Sequence, residues 1–231
     1  MQRVNEGLAR QINDALPQTQ CTRCGYPDCQ AYALAIAQEG VPINQCPPGG
    51  AEGIRRLAHI TGQPVVPLNP THGTEGPRVV VWIDETWCIG CTLCIKACPV
   101  DAITGSNKRM HTVIESVCTG CELCLPVCPV DCMHTEPAPS ELGAAPTGWD
   151  AWSPAQATEA RTRYEFRSTR LMREEREHQK SLEAKAAMKL EDLAAHSQHT
   201  DPAVLDKKRA VIEAALARAR AKSQLPAQPT D

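Results

Sequence analysis

Aromatic side chains are scarce in this chain of 231 residues, where they make up 3% of the sequence and include a single Phe. A domain of ordinary size needs large apolar side chains to fill its core, so packing alone stabilises little of this chain. We therefore expect a small ordered part that is held together by something besides hydrophobic burial.

Long apolar segments are missing too. The longest good run, Ala31 to Ala37, has seven residues, whereas a membrane-spanning helix needs about 20. The chain also begins without the basic and apolar regions of a secretory signal. We expect a soluble protein with no transmembrane segment of its own, in a reducing cytoplasm. In that compartment thirteen cysteines indicate metal sites rather than disulfides.

Patterns for substrate chemistry are absent as well. The sequence holds no phosphate loop, no dinucleotide-binding glycine motif and no nucleophile set beside a base, so we expect no catalysis by this chain alone. Residues 155–231 carry fifteen Lys and Arg against twelve Asp and Glu, which forms no basic stripe for nucleic acid. Residues 1–154 carry nine Lys and Arg against fifteen Asp and Glu. The acidic surface expected for this part suits either transient docking on basic redox partners or simple solubility.

The most informative pattern is a doubled cysteine motif. Cys88-x2-Cys91-x2-Cys94-x3-Cys98-Pro recurs thirty residues later as Cys118-x2-Cys121-x2-Cys124-x3-Cys128-Pro, and nine of seventeen positions are identical between 88–104 and 118–134. Three thiolates at this spacing bind one [4Fe–4S] cluster, and in bacterial two-cluster ferredoxins the fourth cysteine binds the other cluster. The pattern thus implies crossed ligation: Cys88, Cys91, Cys94 and Cys128 on one cluster, and Cys98, Cys118, Cys121 and Cys124 on the other.

Short apolar segments around these loops predict the fold of this part. Val79 to Ile83 is a β-branched run before the first loop, and 111–115 takes the same place before the second. Residues 102–104 and 132–135 follow each fourth cysteine. We expect two β-loop-helix-β halves with two short hairpin sheets. Cys132 takes the place of Ala102 in the repeat, so we interpret it as a packed free thiol.

A second cysteine cluster near the N-terminus has different spacing: Cys21, Cys24, Cys29 and, after sixteen residues, Cys46. The preceding segment places apolar residues four apart up to Leu16, which predicts an amphipathic helix ended by Pro17. Residues 28–38 predict an Ala-rich helix closed by Gly40. Three cysteines on one loop with a remote fourth favour a [4Fe–4S] cluster, while a four-cysteine zinc site is the alternative.

The two patterns together resemble the B subunit of the Rnf/Rsx electron transport complex. The resemblance covers residues 15–136 and depends on Pro17 to Cys29, on Ile43 to Gly50 and on the ferredoxin motif that follows. It implies a third cluster at the N-terminal cysteines and an electron relay at the cytoplasmic face of the inner membrane, with membrane-complex subunits as partners. A hydrophobic anchor is missing here and the C-terminal extension is additional. A free-standing ferredoxin serving cytoplasmic redox enzymes therefore stays open, and so does a zinc-stabilised interaction scaffold.

We expect an α+β chain with five parts. Residues 1–63 form a small helical four-cysteine domain, 64–78 a linker, 79–138 a two-cluster ferredoxin domain, 139–153 a second linker and 154–231 a long charged tail. The tail predicts two exposed helices or a partly disordered arm, begun by Ser153-Pro154 and interrupted near 199–202. The cofactors expected are three [4Fe–4S] clusters, and the partners are redox proteins.

Overall fold

The computed structural model describes residues 2–139 and 145–223. The predicted linker 139–153 and tail 154–231 therefore lie partly outside the described residues. The chain divides into two units, Met1–Arg167 and Ser168–Asp231. It contains both helices and short strands, so the α+β expectation is confirmed at this level.

Three helices form the N-terminal part: α1 (Gln2–Asp14), α2 (Cys29–Glu39) and α3 (Gly50–Thr61). Of the predicted apolar stripe, Ile12 of α1 and Leu16, two residues beyond its end, are completely buried in a core that includes residues of α2. The core of this part includes Cys24 and Cys29 among its aliphatic members. Burying these few side chains fixes the loop that carries the first three cysteines.

Helix α2 has clear start and stop signals. The Asp28 carboxylate accepts a hydrogen bond from the backbone N–H of Ala31, and Gly40 ends the helix in the left-handed conformation at φ 69°. Both devices satisfy backbone groups that a helix end leaves unpaired. The predicted helix is thus confirmed within one residue at each end.

The second part contains β1 (Val79–Ile83), α4 (Leu93–Ala97), β2 (Ile103–Thr104), β3 (Thr112–Val113) and β4 (Met133–Pro137). Strand β1 pairs antiparallel with β4, from Val79 opposite Pro137 to Ile83 opposite Met133. Strand β2 pairs antiparallel with β3. The number of small sheets agrees with the expectation. The expected hairpin is found for β2 and β3, which are consecutive in the chain, but it was wrong for β1, which pairs with β4 of the other half.

The two halves differ in one element. In the first half, α4 lies between Cys91 and Cys98 and contains Cys94, and the Lys96 N–H bonds to the Thr92 carbonyl. The repeat places Pro126 at the position of Lys96, and proline has no N–H to donate. The described structure accordingly has turns at 123–127 where a second helix was expected. That expectation was wrong for the second half.

The segment 64–78 is attached to the N-terminal part by hydrogen bonds. The Asn69 N–H bonds to the Asn44 carbonyl at 2.9 Å, and the Asn44 side chain donates to the Pro67 carbonyl at 2.7 Å. A short 3-10 turn, Pro70–His72, follows.

The predicted linker 139–153 also contacts the N-terminal part. Its residue Trp149 is buried, and the indole N–H of Trp149 donates to the Ala15 carbonyl at 2.7 Å.

The C-terminal helices are α5 (Pro154–Glu191) and α6 (Pro202–Ser223). Ser153 and Gln156 exchange side-chain-to-backbone hydrogen bonds of 3.2 and 2.9 Å, which forms a capping box at the start of α5. Early in α5, Arg161 pairs with Asp14 and Tyr164 donates to the Asp28 carboxylate. In residues 2–139 and 145–223, no helix combines the length and apolar character needed to cross a membrane.

Candidate metal centres

The structure gathers the twelve predicted cysteines into three sets of four. We name them by their residues: site 1 is Cys21, Cys24, Cys29 and Cys46; site 2 is Cys88, Cys91, Cys94 and Cys128; site 3 is Cys98, Cys118, Cys121 and Cys124. The members of sites 2 and 3 line two separate cavities. No disulfide joins any of the cysteines, all thirteen of which are free.

Site 1 is built by the loop before α2 and by the return of the chain before α3. The Gln20 side chain accepts a hydrogen bond from the Cys29 N–H at 3.0 Å and donates to the Gln18 side chain at 2.9 Å. Both glutamines are buried and have positive φ angles of 54° and 59°. Residues other than glycine rarely adopt this conformation, so the two glutamines stabilise a strained loop around the cysteines.

Tyr32 fixes the fourth cysteine of site 1. This α2 residue is buried, its hydroxyl donates to the Pro42 carbonyl at 2.8 Å, and it accepts from the Gln45 N–H at 3.1 Å. Cys46 is the next residue. The Cys46 carbonyl in turn accepts the N–H groups of Gly49 and Gly50 at the start of α3. Tyr32 therefore connects the loop of three cysteines to the returning fourth.

Site 2 combines the first cysteine loop with the last cysteine of the second loop. Its cavity is lined by Cys88, Cys91 and Cys94 together with Cys128. Gly90 lies inside this loop at φ 68°, and a Cβ atom there would lie 2.5 Å from the Arg109 nitrogen. Glycine is thus required at this position, both for the backbone angle and for the close approach.

Site 3 has the converse composition, with one cysteine from the first loop and three from the second. Its cavity brings Cys98 of the first loop to the three leading cysteines of the second loop. The Ala102 N–H lies 3.1 Å from the Cys98 sulfur, which gives that sulfur a backbone donor. The Arg78 side chain donates to the Cys118 carbonyl at 2.7 Å. The crossing of the fourth cysteines is therefore a geometric feature of the fold, while their role as ligands stays a prediction.

Burial keeps several of these thiols protonated in the iron-free chain. Loss of solvent raises the pKa of Cys24, Cys94 and Cys121 to about 11 each, and that of Cys124 to about 12. The pKa of Cys46 is raised by burial and by the charges of Cys29, Cys21 and Cys24. Four thiolates so close together need a nearby positive charge, which bound iron supplies.

The four-cysteine donor sets fit [4Fe–4S] clusters in kind and number, since such clusters are held by four thiolates. The cysteine loops also pass through glycine where a Cβ atom would meet backbone atoms at 2.5 Å or less. Among the described residues, no group of three or more His, Cys, Asp or Glu side chains is placed to hold a single metal ion.

Two further residues contact the sulfur atoms of site 2 cysteines. His111 is 1% exposed, and its Nδ1 atom lies 3.2 Å from the Cys94 sulfur. Cys132 is buried, as expected for a packed thiol, and its sulfur lies 3.5 Å from the Cys128 sulfur. The repeat offset of thirty aligned Cys132 with Ala102 in the sequence, and the same offset, which was not applied there to His111, aligns that residue with Val81.

Comparison with known proteins separates the same two cysteine regions. A family model described as a 4Fe–4S dicluster domain matches residues 81–135, and one described as a putative Fe–S cluster matches residues 16–48. No solved structure gives a significant match.

Several curated relatives carry the name of one component, the B subunit of an ion-translocating oxidoreductase complex. The protein from Azoarcus sp. (strain BH72) is 62% identical over 130 residues, which cover 56% of this chain and 71% of that protein. The relative from Hahella chejuensis is 55% identical over 147 residues, or 64% of this chain and 73% of the relative. The relative from Thiobacillus denitrificans is 58% identical over 107 residues, which cover 46% of this chain and 57% of that protein.

Proposed function

Because the chain belongs to the family of B subunits of the ion-translocating oxidoreductase complex, we propose that it relays electrons through three [4Fe–4S] clusters within such a complex. The observation that carries the proposal is the gathering of twelve cysteines into three sets of four, two of which are completed by a cysteine from the other repeat. Clusters of this kind supply one-electron exchange without a change of bonds.

The ligand assignment follows the three sets. Site 1 uses Cys21, Cys24, Cys29 and Cys46. Site 2 uses Cys88, Cys91, Cys94 and Cys128. Site 3 uses Cys98, Cys118, Cys121 and Cys124. The protein itself orients these thiols, excludes water around them and donates backbone hydrogen bonds to sulfur, as the Ala102 N–H does at Cys98.

We propose that the spatial order of the sites differs from their order in the sequence. Thr119, inside the cysteine loop of site 3, donates a hydrogen bond of 3.0 Å to the Thr19 carbonyl, two residues before Cys21. Arg23, inside the loop of site 1, forms an ion pair of 2.8 Å with Glu122 of the site 3 loop. These contacts support a relay in the order site 1, site 3, site 2.

The partners in this proposal are redox proteins and the membrane-bound subunits of the complex, met at the cytoplasmic face of the inner membrane. The curated relatives are named as subunits of a complex, which supports this assembly. The charged helical tail after residue 153 has no assigned part in the relay. Fractionation of cells that express the full chain tests the assembly. Recovery with integral membrane subunits is expected, whereas a purely soluble pool without them would support a free ferredoxin.

Metal analysis after anaerobic purification tests the clusters. We expect a brown protein with about twelve irons and about twelve acid-labile sulfides per chain. Cys46→Ser removes one site 1 ligand and lowers the iron to about eight. Cys132→Ser is the matched control, because it removes a buried cysteine outside the three sets and leaves about twelve irons. A colourless protein that contains zinc would contradict the proposal and support a zinc-stabilised scaffold.

A further inference from the structure

The cavities of sites 2 and 3 correspond closely through the thirty-residue repeat, yet their linings differ in polarity. Besides the cysteine ligands, the corresponding positions, with site 3 first, are Val81 and His111, Val100 and Val130, Ala102 and Cys132, Ile103 and Met133, Val113 and Ile83, and Thr119 and Ile89. Two exchanges give site 2 a side chain with a hydrogen-bond donor, His111 and Cys132. One exchange gives site 3 a donor, the Thr119 hydroxyl, and this hydroxyl donates to the Thr19 carbonyl at 3.0 Å.

The first donor is the His111 ring. Its Nδ1 atom lies 3.2 Å from the sulfur of Cys94, within the range of a hydrogen bond to sulfur. A cysteine bound to iron has no proton of its own, so the contact then requires the ring to donate N–H to sulfur. The counterpart at site 3, Val81, is equally buried and has nothing to donate.

The surroundings of His111 hold the ring in this orientation. A Cβ atom on Gly105, whose φ is 145°, would lie 2.4 Å from the ring carbon Cδ2. Among the described residues, the other ring nitrogen, Nε2, is buried without a hydrogen-bond partner. Leaving a buried polar atom unpaired costs about 1–3 kcal/mol. The fold therefore keeps a costly ring at a place where the Cys94 sulfur is the hydrogen-bond contact that the described residues offer it.

The second donor is the Cys132 thiol. It lies 3.5 Å from the Cys128 sulfur, and it becomes the donor when Cys128 binds iron. The counterpart of Cys132 at site 3 is Ala102, which has no side-chain hydrogen-bonding group. Two of the four proposed ligands of site 2 thus face a side-chain donor that site 3 lacks at the equivalent positions.

We propose that His111, assisted by Cys132, is a positioning residue that sets the reduction potential at site 2 above that at site 3. The inference rests on the proposed function, because it requires clusters at both sites. Reduction adds one electron and increases the negative charge on the ligand sulfurs. A hydrogen bond to sulfur stabilises the reduced cluster more than the oxidised one and so raises the reduction potential. Hydrogen bonds to sulfur and burial both influence the potential of such clusters. One electron then passes from site 3 to site 2, with no bond made or broken.

Redox titration of the full chain, monitored by EPR, tests the inference. In His111→Val, site 2 acquires the valine that site 3 has, and we expect one of the three potentials to fall while the other two remain. A net hydrogen bond of about 1.4 kcal/mol corresponds to a tenfold shift in the reduced fraction, or about 59 mV for one electron. Cys132→Ala is expected to lower the same potential by less.

Two controls separate the hydrogen bond from other effects. His134→Val changes an exposed histidine of β4 that stacks on Trp82, and it leaves all three potentials unchanged. His111→Asn carries an amide N–H near the position of Nδ1 and restores the wild-type potential, whereas His111→Gln carries it near Nε2 and does not. The asparagine and glutamine pair decides the question if His111→Val does not fold.

Each outcome has a distinct meaning. Unchanged potentials in a His111→Val protein with its full iron content would overturn the inference and leave the relay intact. Equal potentials in the asparagine and glutamine variants would overturn it as well. A wild-type protein without iron and sulfide would instead contradict the proposed function. Full iron content with a lowered single potential supports both.

Discussion

Gly90 and Gly120 occupy equivalent positions in the two ferredoxin loops, and each decides the local backbone. Both have positive φ angles, 68° and 65°, and neither position has room for a side chain. At Gly120 a Cβ atom would lie 2.3 Å from the Val79 carbonyl oxygen at the start of β1. The absence of a side chain therefore allows the cysteine loop of site 3 to contact the first strand.

Gly120→Ala tests this close approach, and Gly40→Ala is its matched control. Gly40 has nearly the same angle, φ 69°, and nothing within 4 Å of the added Cβ. We expect Gly40→Ala to cost about 1 kcal/mol, the strain of the left-handed conformation. Gly120→Ala adds a steric clash with backbone and costs roughly 1–3 kcal/mol more. Urea denaturation of the holoprotein measures both, and equal losses would contradict the argument.

At the scale of elements, the sequence predicts those whose ends are marked by local chemistry. Asp28 and Gly40 mark the two ends of α2. Strand β1 has the same limits as the β-branched run that predicted it, Val79–Ile83. Helix α3 was not predicted, although its buried residues Gly50, Gly53, Ile54, Leu57 and Ala58 recur at helical spacing and Gly62 ends it. Its start at Gly50 is a weak local signal, because glycine is a poor helix former. The positive φ of Gly50 is allowed there by the absence of a Cβ beside Glu75.

Around the sites, the sequence predicted the cysteines but not the side chains that contact the cysteine loops. The ligand sets follow from cysteine spacing, since loop geometry constrains which thiols meet. The contacts of Gln20, Tyr32 and His111 with the cysteine loops arise between segments that are distant in sequence or that lack a motif. Only the comparison of repeats at a fixed offset offers a signal for His111, and it offers none for the two residues of site 1.

Asp28→Ala is the prediction that belongs to α2. Asp28 caps the helix through Ala31 and also accepts a hydrogen bond of 3.0 Å from Tyr164 of α5. Loss of the cap costs about 1 kcal/mol, and loss of the second contact adds to it. Asp28→Asn keeps an acceptor for the cap and remains close to the wild type. Tyr164→Phe isolates the second contact. Urea denaturation followed by circular dichroism measures the series, and no difference between alanine and asparagine would contradict the capping role.

At the scale of the whole molecule, the two apolar cores of the first unit are built around cysteines. Cys24 and Cys29 belong to the core of the N-terminal part, and Cys94, Cys98, Cys118 and Cys124 belong to that of the ferredoxin part. With so few aromatic residues, these cores are small. Under the proposed function, iron binding supplies folding free energy to both parts. The crossed cysteines then make the two ferredoxin halves fold together.

Iron retention is therefore expected to depend on pH, and the sign follows from the raised thiol pKa values. Iron binds the thiolate, yet burial raises the pKa of Cys94 and Cys121 to about 11 and that of Cys124 to about 12. At pH values well below 11 the thiols of Cys94, Cys121 and Cys124 hold their protons in the iron-free chain, so each of them must release one when iron binds. Apparent iron affinity consequently rises with pH over this range and falls on acidification.

Equilibration with an iron chelator of known pH dependence measures this effect, with iron per chain and near-ultraviolet circular dichroism as readouts. We expect iron content to fall with decreasing pH, and the tertiary signal of both ferredoxin halves to disappear in one step with it, because each half supplies a ligand to the other's site. Iron content that is independent of pH, after correction for the chelator, would show that iron does not displace protons from the buried thiols.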